Sequence, residues 1–457
     1  MINEDHRVED LVAEESGTGE SGDSDERGGT WCAQIELASS GAVTSVAPQS
    51  PEHAKVRALV RLHGEPLGYA TVPAVRGSVD REQLLALAWK QWSDEINEHM
   101  VGEGHPVLDG LHVADLPLPG PTDGCPSRVV ADSFVSIVVC THNRSEMLPR
   151  CLASLRALTY PRLEVIVVDN APSDGSTRAV VEKVMAADDR FRYVVEPQAG
   201  LSYARNKGLG EARGAIVAYT DDDVSVDPQW VEGIVRGFGR RTDVGCVTGL
   251  VCSASMSTSA EAYFDARAAS WSMRIQPQVF QLEEGKKGSP LYPFSAGVFG
   301  TGANFAFDRS LLHTSEGFDE ALGAGARTRG GEDLDAFVNT LLNHRAIVYE
   351  PSAIVWHHHR VGHDELLRQL YGYGTGFAAF ITKCLMRRST RWEVVRRIPA
   401  GFGRIIAIRS ETKAALGEKV EFPKGAAMVE FMGYAAGPFL YAQARRANRR
   451  VKRERSD

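Results

Sequence analysis

Three consecutive carboxylates, Asp221, Asp222 and Asp223, close an apolar run from Ala215 to Thr220, and a second acidic group, Glu332, Asp333 and Asp335, follows Gly330 and Gly331. Hard oxygen ligands at a strand end suit Mg²⁺ or Mn²⁺ carrying a diphosphate, because such ions keep several waters and take only one or two carboxylates besides the phosphates. The second group then offers a base. Together they point to transfer of a group from a nucleoside diphosphate. A carboxylate triplet alone is more often a solvated turn, so the argument rests on the elements that position it.

Those elements follow a βαβ rhythm. Val135 to Thr141 is a buried strand pattern; Met147, Leu148, Cys151, Leu152 and Leu155 fall at helical spacing; Leu163 to Asp169 is a second strand. A helical stretch through Val180, Val181, Val184 and Met185 and a short strand from Arg192 to Val195 continue it. In doubly wound sheets ligands bind beyond the carboxyl ends of the strands, which is where Thr141, Asp169 and Asp221 to Asp223 fall.

The runs Val138 to Arg144, Val167 to Asn170, Gly200 to Gly208, Ala218 to Asp223 and Gly331 to Asp335 resemble, in order and spacing, the family 2 glycosyltransferases of GT-A fold. The resemblance extends from about Val135 to Arg360. It implies an α/β fold with a mixed central sheet and flanking helices. It also implies inverting, metal-dependent transfer of a sugar from a nucleotide sugar (UDP-, GDP- or dTDP-linked) to an acceptor hydroxyl. Carried over by position, it places Thr141, Asn143, Arg144, Asp169, Arg205, Asp221 and Asp222 at the donor. Asp169 would accept an N–H from a uracil or thymine base, since a carboxylate is acceptor-only. Arg205 would reach the diphosphate in bidentate fashion. Asp223 is the direct metal ligand, Asp221 contacts the ribose or the metal, and Asp222 points away from both if the backbone stays extended.

An inverting displacement needs one base and relief of the charge on the departing diphosphate. Leu334, Phe337, Val338, Leu341 and Leu342 lie at helical spacing, so Glu332 and Asp333 open a helix. Acidic residues there are also ordinary helix starters. With the upstream motifs, Asp333 is assigned as the base and Glu332 as acceptor positioner or alternative base. Downstream, Val355 to Arg360 ends a strand in three histidines. His357 or His359 is a further metal ligand by the resemblance, imidazole suiting Mn²⁺ better than Mg²⁺, with a structural histidine run as the alternative. Alternation would put His357 and His359 on one side. Arg360 is placed to neutralise the β-phosphate.

Around this core, a chain of 457 residues, 43% hydrophobic and 24% charged, supports one large core with additions. Residues 1–30 read as a disordered acidic tail, 31–115 as a small N-terminal α+β unit, 116–132 as a Pro/Gly-rich linker, 133–360 as the catalytic domain and 361–457 as a helical extension with a basic tail. Ser253 to Pro293 has the composition of a mobile flap, and Asp364 to Met386 that of an amphipathic helix interrupted by Gly372, Gly374 and Gly376. The basic run from Arg445 to Arg455 suits anionic lipid headgroups or plain solubilising disorder; without a binding module it does not suggest nucleic acid. Seven cysteines without paired spacing fit a reducing compartment. The expected location is cytoplasmic, with peripheral contact at the inner face of the membrane. Arg388 stands where processive synthases of this fold carry Gln in Q-x-x-R-W, so single-sugar transfer is expected. The acceptor class stays open between glycan, lipid-linked and small-molecule hydroxyls, in cell-surface glycan or metabolite synthesis. The rivals are a nucleotide-sugar-binding scaffold without turnover and a nucleotidyltransferase on a related fold.

Overall fold

The structure is a computed structural model and describes residues 29–38, 42–111, 125, 132–272, 274–285, 289–295, 297–416 and 423–454. The acidic tail before Gly28, all of the linker but Cys125 and Asp132, and the last three residues of the basic tail lie outside the described residues.

The N-terminal unit is a sheet in the order β2-β1-β3-β4-β5, made by β1 (Thr30–Glu36), β2 (Val43–Thr44), β3 (Lys55–Leu62), β4 (Glu65–Val75) and β5 (Ser78–Val79), with helix α1 (Arg81–Gly102) beside it. β3 is buried on both faces. Val56, Ala58, Val60 and Leu62 join the core with Leu84, Ala88, Ile96 and Met100 of α1. The alternate residues face the rest of the protein: Leu59 packs with Cys252, Ile354 and Trp356, Arg61 pairs with Asp227 at 2.6 Å, and Arg57 grips Asp265 with two bonds of 2.6 Å. The period of two in the strand thus gives one face to the unit's own core and the other to the larger sheet.

That larger sheet has nine strands. Eight run in the order β10-β14-β11-β13-β9-β6-β7-β8, and β12 adds to β14. They are β6 (Val135–Thr141), β7 (Leu163–Asn170), β8 (Phe191–Glu196), β9 (Ile216–Asp221), β10 (Val224–Val226), β11 (Val244–Ser253), β12 (Gln278–Phe280), β13 (Asn304–Asp308) and β14 (Ala346–His357). β6 is parallel to both β7 and β9, so the winding reverses at β6 and a crevice opens between the carboxyl ends of β6 and β9. Helices α2 (Leu148–Arg156), α3 (Ser176–Met185), α4 (Leu201–Glu211) and α5 (Trp230–Gly239) cover the faces. The two flanking cores are closed by Leu148, Leu152 and Trp230 on one side and by Tyr219, Phe305, Phe307 and Phe337 on the other. This is the mixed, helix-flanked sheet expected of the chain.

Two expectations change. The stretch read as a flap contains α6 (Ser259–Ser272), strand β12 and a short helix α7 (Leu282–Gly285); Ala260, Tyr263 and Phe264 bury against the C-terminal helices, which holds α6 in the core. After α8 (Arg309–Thr314) and α9 (Glu332–Leu342), the extension forms α10 (His363–Met386), α11 (Arg391–Leu416) and α12 (Ala426–Glu454). α10 runs unbroken through Gly372, Gly374 and Gly376. Its glycines are contact points: a Cβ on Gly374 would sit 2.4 Å from the Glu430 carbonyl of α12, and one on Gly376 would sit 2.6 Å from Gly330. Their cost in helix propensity is offset by backbone-to-backbone approach.

The Arg57–Asp265 pair makes a stability prediction. Burial pushes the Asp265 carboxyl up, but the Arg57 guanidinium more than offsets it and leaves the group below the usual carboxylate range. A depressed folded value contributes stability above the unfolded value of about 3.9, and that contribution is lost as pH falls through the folded value. Asp265→Asn is expected to cost about 3 kcal/mol at neutral pH, because it leaves a buried guanidinium half-paired. In denaturant titrations the gap from wild type should hold between about pH 7 and pH 5 and narrow below about pH 4. A gap independent of pH would show that the charge is not what matters.

Candidate active site

The crevice at the β6/β9 reversal collects the chemistry. Strand register sets Cys140 beside Asp221 and Thr141 beside Asp169. β9 ends at Asp221, and Asp222 and Asp223 form the turn into β10. Strand alternation therefore stops one residue earlier than an extended triplet requires, and Asp222 does not point away from Asp223. Both turn onto one cation: Arg144 Nη1 lies 2.8 Å from Asp222 and 3.1 Å from Asp223. Thr141 Oγ1 also donates to Asp222 at 2.7 Å. Asp222 is thus a brace between the β6 and β9 ends rather than a group facing open space.

β10 pairs antiparallel with β14, placing Val224 opposite His357. His357 Nε2 consequently lies 3.3 Å from Asp223 Oδ1. Burial opposes a charged imidazole, but Asp223 beside it holds the His357 pKa above its ordinary value. Burial likewise raises the Asp223 carboxyl, and His357 and Arg144 together pull it well below the carboxylate range. Asp221 is pushed up to about 7, by burial first, against the pull of Arg205 and with Asp223 adding to the rise. His359 shares a side with His357, with the two Nδ1 atoms 3.1 Å apart. It is one step removed from Asp223: its Nε2 meets Ser253 Oγ at 3.0 Å and its ring stacks on Phe264. His358 turns away to Ser225 and Arg150.

Arg205 is 2% exposed and lies behind the carboxylates. It donates to Glu332 Oε1 at 2.8 Å and to the Gly302 carbonyl at 3.0 Å, with Asp221 at 3.5 Å. Phe305 and Phe318 flank its guanidinium. It thus engages protein carboxylates and also lines the cavity. Glu332, 5% exposed, is held by that contact. Asp333 is half-buried in the crevice wall, where the Leu334 amide donates to Oδ1 at 2.8 Å. Burial raises its pKa, against Arg205 and the amides of Leu334 and Gly302.

On the donor side, Asp169 is fully buried, Tyr193 donating to Oδ2 at 2.6 Å and Oδ1 having no partner among the described residues. Asn143 is exposed, has φ 52° and accepts from the Ser173 amide and hydroxyl, so it braces the loop after β6 instead of lining the crevice. Tyr193, Gly302 and the Ser253–Asp265 pair were not singled out from the sequence; each touches its partner across sheet or loop register that no local spacing announces.

The crevice opens into a cavity of about 1360 Å³. Thr141, Arg144, Asp221, Asp223, His357, Glu332 and Asp333 line it, together with Phe377, Ile381, Leu385, Ile398 and Ile408 of α10 and α11. The donor set of two hard carboxylates and one imidazole fits Mg²⁺ or Mn²⁺: Asp221, Asp223 and His357 would hold the ion.

Residues 136–314 match the family model described as glycosyl transferase family 2. The chain is similar to glucosyl-dolichyl phosphate glucuronosyltransferase of Haloferax volcanii, 33% identical over 26% of this chain and 38% of the relative. It is also similar to pre-mycofactocin glycosyltransferase of Mycobacterium tuberculosis, 27% identical over 52% of this chain and 46% of the relative. A solved mannosyltransferase from Pyrobaculum calidifontis, in complex with GDP-Man and Mn²⁺, is 18% identical and superposes with a TM-score of 0.44 over 69% of this chain and 86% of that one. The matched stretches span about a third of the length of the first curated relatives. Through residues 136–314, the chain carries a domain of glycosyl transferase family 2.

Proposed function

We propose that the protein transfers one sugar, with inversion, from a nucleotide sugar to the hydroxyl of an acceptor that carries an apolar, lipid-like portion. The observation that supports this most is one cavity lined by the carboxylate turn, by Asp333 and by apolar side chains of α10 and α11. Asp169, with an acceptor-only oxygen free of hydrogen bonds, suits the N–H of a uracil or thymine base. Asp333 takes the proton of the attacking hydroxyl, and burial, which raises its pKa, strengthens it as a proton acceptor. Glu332, fixed by Arg205, sets the wall beside it. A divalent ion at Asp221, Asp223 and His357 would neutralise charge on the departing diphosphate.

The C-terminal helices supply the lipid argument. Trp392 and Ile406 of α11 are 69% and 72% exposed and Phe431 of α12 65%, and α11 also carries Arg391, Arg396 and Arg404. No described helix is long and apolar enough to cross a membrane. Apolar and cationic residues together on such helices suit lying in a lipid interface, which would bring a membrane-anchored acceptor to the mouth of the cavity.

Turnover with each nucleotide sugar on a polyprenyl-phosphate-linked acceptor and on a soluble glycoside tests this reading. Ile398 lines the cavity yet is 42% exposed, so its replacement spares the core. Ile398→Asp should raise KM for the lipid-linked acceptor about tenfold, the effect of placing a charge in an apolar contact, with nucleotide affinity unchanged. Equal KM in variant and wild type would remove the acceptor assignment.

A further inference from the structure

In the N-terminal unit four side chains of different types converge, none of them lining the cavity of the crevice. His63 comes from the turn between β3 and β4, His99 and Glu103 from the end of α1, and Cys125 from the connection toward β6. His63 Nδ1 lies 3.0 Å from His99 Nε2 and 3.0 Å from Glu103 Oε1, and His99 Nε2 lies 2.8 Å from the same oxygen. Cys125 Sγ is 3.7 Å from both nitrogens, and all four atoms lie within 4.8 Å of one another. We propose that this cluster is a structural zinc site, formed by His63, His99, Glu103 and Cys125, that ties the connecting segment to the N-terminal sheet.

The spacing is close to that of a coordination shell. Bonds of about 2.0–2.1 Å to nitrogen or oxygen and about 2.3 Å to sulfur, at tetrahedral angles, separate ligand atoms by about 3.3 Å and about 3.6 Å. The observed separations lie near those values, 2.8–3.0 Å among the nitrogen and oxygen atoms, a few tenths shorter, and 3.7 Å to sulfur. Hydrogen bonding alone accounts for the cluster poorly, because His63 Nδ1 faces a nitrogen, a carboxylate oxygen and a sulfur at once and carries at most one proton. The Glu103 side chain is 1% exposed, and its Oε2 has no hydrogen-bond partner among the described residues. Thiolate and carboxylate would together balance a divalent charge. Imidazole with thiolate selects zinc over the oxygen-seeking ions suited to the crevice, and four protein ligands leave no open position, the mark of a structural site.

Local backbone adds a second observation. Leu62 pairs with Glu65, so His63 and Gly64 make a two-residue hairpin loop with φ values of 52° and 84°. Such loops favour Asn-Gly or Gly-Gly. Both loop amides donate to Glu36 at 2.9 Å, which locks the turn and fixes the direction of the imidazole. A histidine in this strained place points to a task for its ring.

Elemental analysis of the full-length protein, purified without chelator, is the test, since the crevice is expected to hold Mg²⁺ or Mn²⁺ and the elements separate the two sites. Zinc should be present at about one equivalent per chain, kept in Asp223→Asn and reduced at least about tenfold in a Cys125→Ser, His99→Ala double variant. Should that variant fail to fold, wild type stripped and reloaded with Co²⁺ should show the intense visible bands of a tetrahedral site and a thiolate charge-transfer band. The proposal is overturned by wild type that retains no zinc after incubation with excess Zn²⁺ and desalting, or by zinc retained equally in the double variant, or by cobalt spectra lacking the thiolate band.

Discussion

Asp333→Asn is expected to lower kcat by about 10³-fold, within the range that a general base contributes, while nucleotide affinity changes less than about threefold. The structure divides the labour between neighbours. Glu332 is buried and gripped by Arg205, whereas Asp333 is half-buried in the cavity wall. The isosteric amide keeps volume and the Leu334 contact but cannot take a proton. Glu332→Gln should behave differently, loosening Arg205 and impairing binding as well as turnover. Single-turnover kinetics beside nucleotide titration separate these outcomes, and normal turnover in Asp333→Asn would transfer the base to another group.

The second large effect belongs to the turn after β9. Asp223→Asn should remove most of the enhancement that Mn²⁺ gives to nucleotide binding and lower kcat/KM by about 10³-fold, the several kcal/mol that a Lewis-acid ion contributes to a developing oxyanion. The reason is local: Asp223 is the carboxylate that faces both His357 and Arg144, so the substitution strips negative charge from the point where the cation would sit. Calorimetric titration with UDP, GDP and dTDP, each with and without Mn²⁺, measures it. If the variant keeps the full metal-dependent increment, Asp223 is not the ligand.

The strands and carboxylates of the catalytic sheet were legible because their signals are local. A seven-residue buried run such as Val135 to Thr141 and an acidic pair at the start of α9 need no partner to be read. The partners of Arg205 were not legible because its sequence context, a Gly-rich helix start, says nothing of Glu332, which approaches from 127 residues away. The glycines of α10 were read as interruptions because propensity cannot show a second helix pressed against them. The cluster at His63, His99, Glu103 and Cys125 was invisible for the same reason: its members come from a turn, a helix end and a connection, and no zinc-type spacing joins them.

The contact between Gly376 and Gly330 has a mechanical meaning. Where side chains separate two elements, rotamer changes absorb small displacements; here two main chains touch, and Gly331, with φ 90°, lies against the Gly376 carbonyl. The next residues are Glu332 and Asp333. The position of Asp333 is thus gauged from the C-terminal helices, much as a tool is indexed from a fixed stop. The same helices line the cavity with apolar side chains, so the surface that would receive an acceptor and the atom that would deprotonate it share one frame of reference.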